Sequence, residues 1–251
     1  MADGAIIFQQ VRRALAIAKK DVRIYYSKGP VIVFGILFPV FLFLSFAIGR
    51  NLSLDFMMSG LLGMILFFTA TAISPVIAPW ETQARTLERL MSCPITVPAI
   101  ILGDVLASFA FGIIVSLIPL VVGVAIGISI SQPVVLALGL ILAAFCFSSL
   151  GLIFSVPPTS LPSTIMMLSS TVKFPMVFIS GVFVPLGELP LWGRGIALVS
   201  PLTYFTDLTR HSLQANGYLP IGVDLAVLFA FSIFFLILAM KLHQRTMPRR
   251  I

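Results

Sequence analysis

The sequence predicts an all-α membrane protein with six transmembrane helices, preceded by an interfacial amphipathic helix. Three observations lead to this fold class. Of the 251 residues, 59% are hydrophobic and only 10% are charged, whereas a water-soluble domain carries about 25% charged residues. Six charge-poor stretches are each long enough to cross a bilayer core, which needs about 20 apolar residues per helix. The basic residues concentrate at the two ends of the chain.

Residues 1–29 form the first predicted unit, a cytoplasmic helix that lies in the membrane interface. Its apolar residues recur at steps of three and four, namely Ile7, Val11, Leu15, Ala18, Val22 and Tyr25. Most basic side chains of this stretch occupy the other faces, a pattern typical of a helix on the bilayer surface. Two roles remain open: a lipid anchor alone, or an anchor that also contacts a cytosolic partner.

Residues 30–251 form the second predicted unit, the transmembrane domain. Its six spans are expected at 30–49, 57–79, 101–128, 133–156, 164–186 and 220–241. Six spans put both termini on one side of the membrane. Twelve basic residues lie on the side of the termini and three on the opposite side. The positive-inside rule therefore predicts a multi-pass plasma-membrane protein with cytoplasmic N and C termini.

The loop 80–98 is predicted to contain a short cytoplasmic helix that ends before Pro94, because proline lacks an amide hydrogen and its ring clashes with the preceding turn. The helix has two faces, an apolar one with Leu87, Leu90 and Met91 and a charged one with Arg85, Glu88 and Arg89. Such a helix could transmit force from a cytosolic partner. A solvated loop without a partner is the alternative.

The outer region 187–219 is too short to cross the membrane twice and too apolar for a free loop. We therefore expect short re-entrant helices there, before the last span, packed so that their backbone groups find partners. Four charged side chains of this region could pair and close an outer gate, namely Glu188, Arg194, Asp207 and Arg210. Ordinary interfacial charges in contact with water are the alternative.

Lys173 is the one basic residue that falls well inside a predicted span. Burying an ammonium group against lipid costs several kcal/mol, so an ionisable residue at this depth indicates function. Lys173 and its neighbour Phe174 are therefore candidates for a translocation path. Alternatively, Lys173 lies nearer the cytoplasmic end and extends to the interface.

Several kinds of chemistry are missing from the sequence. It contains no GxxxxGK[ST] motif, so ATP hydrolysis by this chain is not expected. His211 and His243 are the only histidines and have no companion ligands nearby in sequence, so neither a metal site nor a catalytic histidine is predicted. Nucleic-acid binding would need an aqueous basic face with aromatic residues, which is also missing. We predict no catalytic residues and no cofactor in this chain.

A first family resemblance lies in residues 85–106, RTLERLMSCPITVPAIILGDVL. This segment closely resembles the cytoplasmic segment of permeases of the ATP-binding-cassette type-2 transporter family, with the approximate pattern GTLE-x-L-x-x-x-P-I-S-x-x-x-I-x-x-G-K. The matching residues are Thr86, Leu87, Glu88, Leu90, Pro94, Ile95, Ile100 and Gly103. Ala84 and Arg85 replace the usual acidic residue and Gly, Thr96 replaces Ser, and Asp104 stands where Lys is common. These departures bear on the subfamily.

A second resemblance lies in residues 174–210, FPMVFISGVFVPLGELPLWGRGIALVSPLTYFTDLTR. This segment resembles the same family's fifth span and outer region. The matching residues are Ser180, Gly181, Pro185, Leu189, Pro190, Pro201, Leu202, Thr203, Tyr204 and Arg210. Ser200 stands for the usual Asn. Together with the six predicted spans, the cytoplasmic N terminus, the interfacial N-terminal helix and the length of 251 residues, the resemblance covers nearly the whole chain. Two independent motifs in the expected order make it specific.

The resemblance implies the permease subunit of an ATP-driven exporter. A second copy of the chain, or a related permease, would assemble with it and with two separate ATPase subunits that hold ATP and magnesium. The implied ATPase-coupling residues are Arg85, Thr86, Leu87, Glu88, Arg89, Leu90, Pro94 and Ile95. Residues 3–26 would add a second contact. The candidates for a translocation path or gate are Lys173, Phe174, Glu188 and Arg210.

The implied cargo is a hydrophobic drug or a lipid-like amphiphile, because the loop is similar to those of drug-efflux (daunorubicin-resistance-like) and lipo-oligosaccharide exporter subunits. A glycan or glycolipid is the alternative. Two other classes fit the sequence less well. A secondary transporter or channel would show internal repeats or paired intramembrane charges, and a membrane enzyme would show a cluster of catalytic groups. The sequence shows neither feature.

Overall fold

The protein is built from helices, as a computed structural model shows for residues 2–26, 28–50, 52–214 and 216–247. Residues 2–7 and 30 are described by their backbone alone. Within these ranges there are twelve α-helices and no strand, which confirms the predicted all-α class. The predicted apolar side chain of Ile7 and the C-terminal basic residues Arg249 and Arg250 lie outside this description.

The first helix, α1 (Ala2–Tyr25), packs along α7 (Val97–Ala125). Its buried stripe includes Ala14, Ile17 and Asp21, at steps of three and four. A Cβ added to Gly103 of α7 would lie only 2.8 Å from the Ala14 carbonyl oxygen and from Ile17, so glycine permits this close approach. The predicted apolar residues Val11, Leu15 and Val22 are exposed on a different face of α1.

Four helices are long and apolar enough to cross a membrane in the part of the chain that the structure describes. They are α7, α8 (Pro133–Phe154), α9 (Pro162–Ile179) and α12 (Ile221–Thr246). They correspond to predicted spans three to six. Proline in the first turn of α7, α8 and α9 marks their N-terminal ends, where a missing amide hydrogen costs nothing.

The first two predicted spans correspond to shorter apolar helices. The first consists of α2 (Gly29–Ile32), a π-helical segment (Val33–Leu37) and α3 (Phe38–Ala47), which follow one another without a break. The second is α4 (Leu54–Ala70). The prediction of six spans therefore depends on four long helices and on these two shorter ones.

The second predicted span, 57–79, is interrupted after Ala70. Residues 71–76 form turns, and α5 (Ile77–Gln83) and α6 (Thr86–Met91) follow. Pro75 cannot donate an amide hydrogen bond and disfavours the helical conformation at Ser74. Nζ of Lys173 donates to the Thr71 carbonyl oxygen at 2.9 Å. Most of this irregular segment is buried within the protein, where its polar groups can find partners.

Two helices precede α12 in the outer region, where we expected short re-entrant helices. A turn at Gly181, whose φ is +82°, ends α9. A 3₁₀ turn (Leu186–Glu188), α10 (Leu191–Ala197) and α11 (Pro201–Gln214) follow. Nearly every residue of α11 is buried, and the helix packs against α4, α8 and α12. The placement of α10 and α11 in the bilayer stays a prediction.

Aromatic contacts join α11 to the centre of the helix bundle. The Phe147 ring of α8 lies 5.1 Å from Phe67 of α4 and 6.2 Å from Phe205 of α11, in edge-to-face arrangements. All three side chains are fully buried. Edge-to-face aromatic pairs stabilise a core by about 0.5–1.5 kcal/mol beyond the area that they bury. Helix α11 of the outer region is thus part of the main core.

Candidate functional site

The short helix α6 has one buried anchor and an open charged face. Leu87 is 1% exposed and packs in an apolar cluster with Ile17, Ile100, Ile101, Val105, Leu152, Ala239 and Met247. The cluster connects α6 with α1, α7, α8 and α12. Five predicted coupling residues are exposed, namely Arg85, Thr86, Glu88, Arg89 and Pro94, whereas Leu90 and Ile95 are half-buried. The structure therefore places the predicted coupling residues on one segment.

Helix α1 is tied to the same segment by polar contacts. The Arg13 guanidinium donates to the Pro94 carbonyl oxygen. The Gln10 Oε1 atom accepts from the Thr96 backbone amide at 3.3 Å. These contacts hold the chain after α6 against α1, so the two elements for which the sequence predicts a cytoplasmic position form one unit.

A buried cluster of charged groups lies beside this unit. The Lys20 ammonium contacts Asp21 at 3.0 Å and also pairs with Glu81 of α5, while Asp104 of α7 is buried nearby. Burial raises the pKa of both Asp21 and Glu81, and Lys20 offsets part of that shift. Burial alone lowers the pKa of Lys20, but Glu81 and Asp21 raise it above its ordinary value. The ammonium group is therefore charged at neutral pH.

Sequence reasoning did not find this cluster. Asp104 follows Gly103 of the first motif, and it is 2% exposed because α1 packs on this part of α7. One signal was available: Asp21 continues the stripe of Ala14 and Ile17 at helical spacing. A carboxylate on a packed helix stripe indicates a buried partner.

Lys173 and Phe174 lie on one groove between the first apolar segment, α4 and α9. Lys173 is 7% exposed. The Phe174 ring lies 5.5 Å from Phe38 and 6.3 Å from Phe68. The groove is thus aromatic, with the amine of one buried lysine at its side.

The two other candidates, Glu188 and Arg210, lie in the outer region, away from this groove. The Arg210 Nη2 atom donates to the Gly181 carbonyl oxygen at 2.5 Å, and its guanidinium lies 4.7 Å from the centre of the Phe56 ring. Glu188 is exposed. Arg194 donates to the carbonyl oxygen of Leu189. Among the described residues, none of the four predicted outer charges forms an ion pair with another.

A second polar cluster in the outer region was also missed. Ligand-type atoms of Asp207, His211 and Asp224 all lie within 4.8 Å of one another. The expectation that His211 has no companion ligands is therefore wrong. The signal was the spacing of Asp207 and His211, four residues apart on one helix face. Asp224 comes close only because α12 folds back beside α11.

Residues of the second motif meet in space. The Thr203 hydroxyl donates to the Ala197 carbonyl oxygen at 2.6 Å, and the Tyr204 hydroxyl donates to that of Leu198 at 2.7 Å. These bonds attach α11 to the end of α10. The bond from Arg210 to Gly181 likewise joins α11 to the turn that ends α9.

Comparison with known proteins agrees with both motifs. The sequence profile of the ABC-2 type transporter family matches residues 12–213. Among curated proteins, the chain is similar to the inner membrane transport permease YadH of Escherichia coli (strain K12) and to the protein of the same name from Shigella flexneri. In both cases the two sequences are 26% identical over an alignment of 162 residues. The alignment covers 64% of this chain and 63% of the relative.

Proposed function

The chain belongs to the ABC-2 type transporter family, and from this premise we propose that it is the membrane-spanning permease subunit of an ATP-driven exporter. A second copy of the chain completes the permease. Two separate ATPase subunits bind ATP and magnesium and hydrolyse the ATP, because the sequence of this chain has no P-loop. The chain is a multi-pass plasma-membrane protein with both termini in the cytoplasm.

The geometry of α6 is the observation that supports this function best. Leu87 fixes the helix in the core, while Glu88 and Arg89 are exposed on the same short helix. A solvated loop would need no buried anchor. In this proposal Glu88 and Arg89 contact the ATPase subunit, and the exposed part of α1 provides the second contact.

The contacts around α6 provide a route for the movement. ATP binding closes the ATPase subunits and pushes on α6. The cluster around Leu87 passes this displacement to α7, α8 and α12, and the bonds from Arg13 and Gln10 pass it to α1. The path between the two permeases then changes from inward-open to outward-open. ATP shifts the equilibrium towards the outward-open state because it binds the two states with different affinity.

The Glu88→Lys variant tests this coupling. We expect it to leave basal ATPase activity in place. Cargo-stimulated ATPase activity and transport should both fall by about fivefold or more, because about fivefold is the lower end of the effects that typical coupling energies cause. Gln244→Lys is the control, because it introduces the same side chain at an exposed position near the end of α12. Both variants are assayed in proteoliposomes with the partner ATPase. Full coupling in Glu88→Lys would contradict the assignment of α6.

We propose a hydrophobic drug or lipid-like amphiphile as the cargo. The aromatic groove beside Lys173 suits an apolar body with an anionic group. A glycan or glycolipid is the second candidate, favoured if sugars rather than amphiphiles stimulate the ATPase. Copurification of an ATPase subunit separates both from an ATP-independent transporter.

The Lys173→Met variant tests the role of the groove. We expect it to reduce transport of anionic amphiphiles by about tenfold relative to transport of cationic ones. The reason is that the variant loses one charge-assisted contact, and a contact of about 1.4 kcal/mol corresponds to a factor of ten. Lys241→Met removes an exposed lysine of α12 and serves as the control. Equal transport of both cargo classes by Lys173→Met and the unaltered chain would remove Lys173 from the path.

A further inference from the structure

Three side chains of metal-binding type meet where α11 ends and α12 begins. Asp207 and His211 lie one turn apart on α11, and Asp224 lies in the first turn of α12. One ligand-type atom from each residue lies within 4.8 Å of those of the other two. Asp207 and Asp224 are buried and His211 is half-buried.

The Asp224 carboxylate lacks a partner of its own. Its side chain is 0% exposed, and both carboxylate oxygens are without a hydrogen-bond donor in the described part of the chain. A buried carboxylate without a donor or a cation is costly. Its position beside Asp207 and His211 shows where a cation would satisfy it.

The other two ligands are oriented by a single backbone segment. The Leu219 amide donates to Oδ2 of Asp207 at 2.7 Å, and the Tyr218 amide donates to Oδ1 at 2.9 Å. The His211 Nε2 atom lies 2.6 Å from the Leu219 carbonyl oxygen. Because a carbonyl oxygen only accepts, Nε2 carries the hydrogen in this contact, and the neutral ring would offer the Nδ1 lone pair to a metal ion. A backbone carbonyl that binds the second ring nitrogen is the usual support of a metal-binding histidine.

We propose that Asp207, His211 and Asp224 form a binding site for a divalent first-row transition-metal ion, with Zn²⁺ as the best match. Two carboxylates balance the charge of a divalent ion. The imidazole favours zinc over magnesium and calcium, which prefer oxygen ligands alone. Three protein ligands leave a fourth position for water. The ion would fasten the start of α12 to α11 in the outer region.

Zinc binding to the tag-free full-length chain in detergent tests the proposal. After treatment with a chelator and dialysis against Zn²⁺, elemental analysis should find one zinc ion per chain, and zinc should raise the melting temperature. Asp224→Asn should weaken zinc binding by more than about tenfold, the loss that even outer-sphere partners cause. Asp55→Asn is the control, because it alters an aspartate in the first turn of α4, outside the cluster.

A second measurement covers the case in which Asp224→Asn does not fold. Co²⁺ bound to the unaltered chain should give visible absorption bands that His211→Gln shifts or removes, whereas Asp55→Asn keeps them. Zinc binding that is equal in Asp224→Asn, His211→Gln and the unaltered chain would overturn the site. So would the absence of stoichiometric zinc, or displacement of zinc by an equal concentration of Mg²⁺.

Discussion

At the residue scale, Arg85 stands at a motif position that has an unusual backbone conformation. Its φ is 53° and its ψ is 26°, in the left-handed region, just before α6 begins. The family pattern has glycine at this position. Side chains in this conformation place Cβ close to a carbonyl oxygen, at a cost of about 1–2 kcal/mol. Arg85 therefore adopts a conformation that suits glycine better, and it does so on the proposed ATPase-facing segment.

Replacing Arg85 with glycine should stabilise the chain. We expect Arg85→Gly to raise the free energy of unfolding by about 1 kcal/mol, because the left-handed conformation then costs little. Ala84→Gly is the matched control. Ala84 has a φ of −82°, which alanine adopts without strain, so glycine there should lower stability by about 0.5–1 kcal/mol. Thermal unfolding in detergent measures both, and equal changes would argue against strain at Arg85.

Several residues of the candidate site could be predicted individually, but their partners could not. The spacing around Leu87 predicts a short two-faced helix, and the structure has that helix. The pairing of Lys20 with Glu81 and the proximity of Asp104 depend on how α1 lies across α7. No local pattern encodes that approach, because the partners lie far apart along the chain.

At the element scale, the contact between α1 and α7 depends on the missing side chain of Gly103. The two helices approach closely there, with the Ala14 carbonyl oxygen and Ile17 against the glycine. This position is also a matched glycine of the first motif. The motif therefore includes a residue of the α1–α7 packing as well as the proposed coupling residues.

Adding one methyl group at Gly103 should loosen α1. We expect Gly103→Ala to lower the free energy of unfolding by about 1–3 kcal/mol, the usual cost of overpacking, and to speed proteolysis within residues 8–26. Gly222→Ala is the control, since no atom lies within 4 Å of a Cβ added there; alanine should stabilise α12 by up to about 1 kcal/mol. Unchanged proteolysis of Gly103→Ala would contradict the close approach.

Helix positions could be predicted where local signals mark the ends. The expected span 133–156 agrees with α8, which begins at Pro133. The expected span 57–79 was too long, because hydropathy stays high through the turns after Ala70. Lys173, about a hundred residues further along the chain, donates to the Thr71 carbonyl oxygen within this break. A window of neighbouring residues cannot contain that information.

At the scale of the whole molecule, the proposed orientation makes Cys93 a natural reporter. The thiol of Cys93 is exposed just after α6, whereas Cys146 is fully buried in α8. A membrane-impermeant maleimide should therefore label the chain in inside-out vesicles and leave it unlabelled in intact cells or spheroplasts. Labelling of intact cells would contradict a cytoplasmic position for the loop 80–98.

Two variants complete the orientation experiment. Cys93→Ser should abolish labelling from either side, because Cys146 is inaccessible. Leu191→Cys in the Cys93→Ser background should reverse the pattern, since Leu191 is 84% exposed at the start of α10 in the proposed outer region. If Cys93 and a cysteine at position 191 were labelled from the same side of the membrane, α10 and the loop 80–98 could not lie on opposite sides.

The order of synthesis determines when α1 can dock on α7. The bonds that tie Arg13 and Gln10 to the chain after α6 join residues 81 and 86 positions apart. The ribosome therefore completes α1 long before its binding surface exists. Until then the stripe of α1 that is buried in the folded chain has no protein partner. A newly made amphipathic helix can bind the bilayer surface during this time. We therefore expect α1 to reach its final position only after α7 has been made and inserted into the membrane.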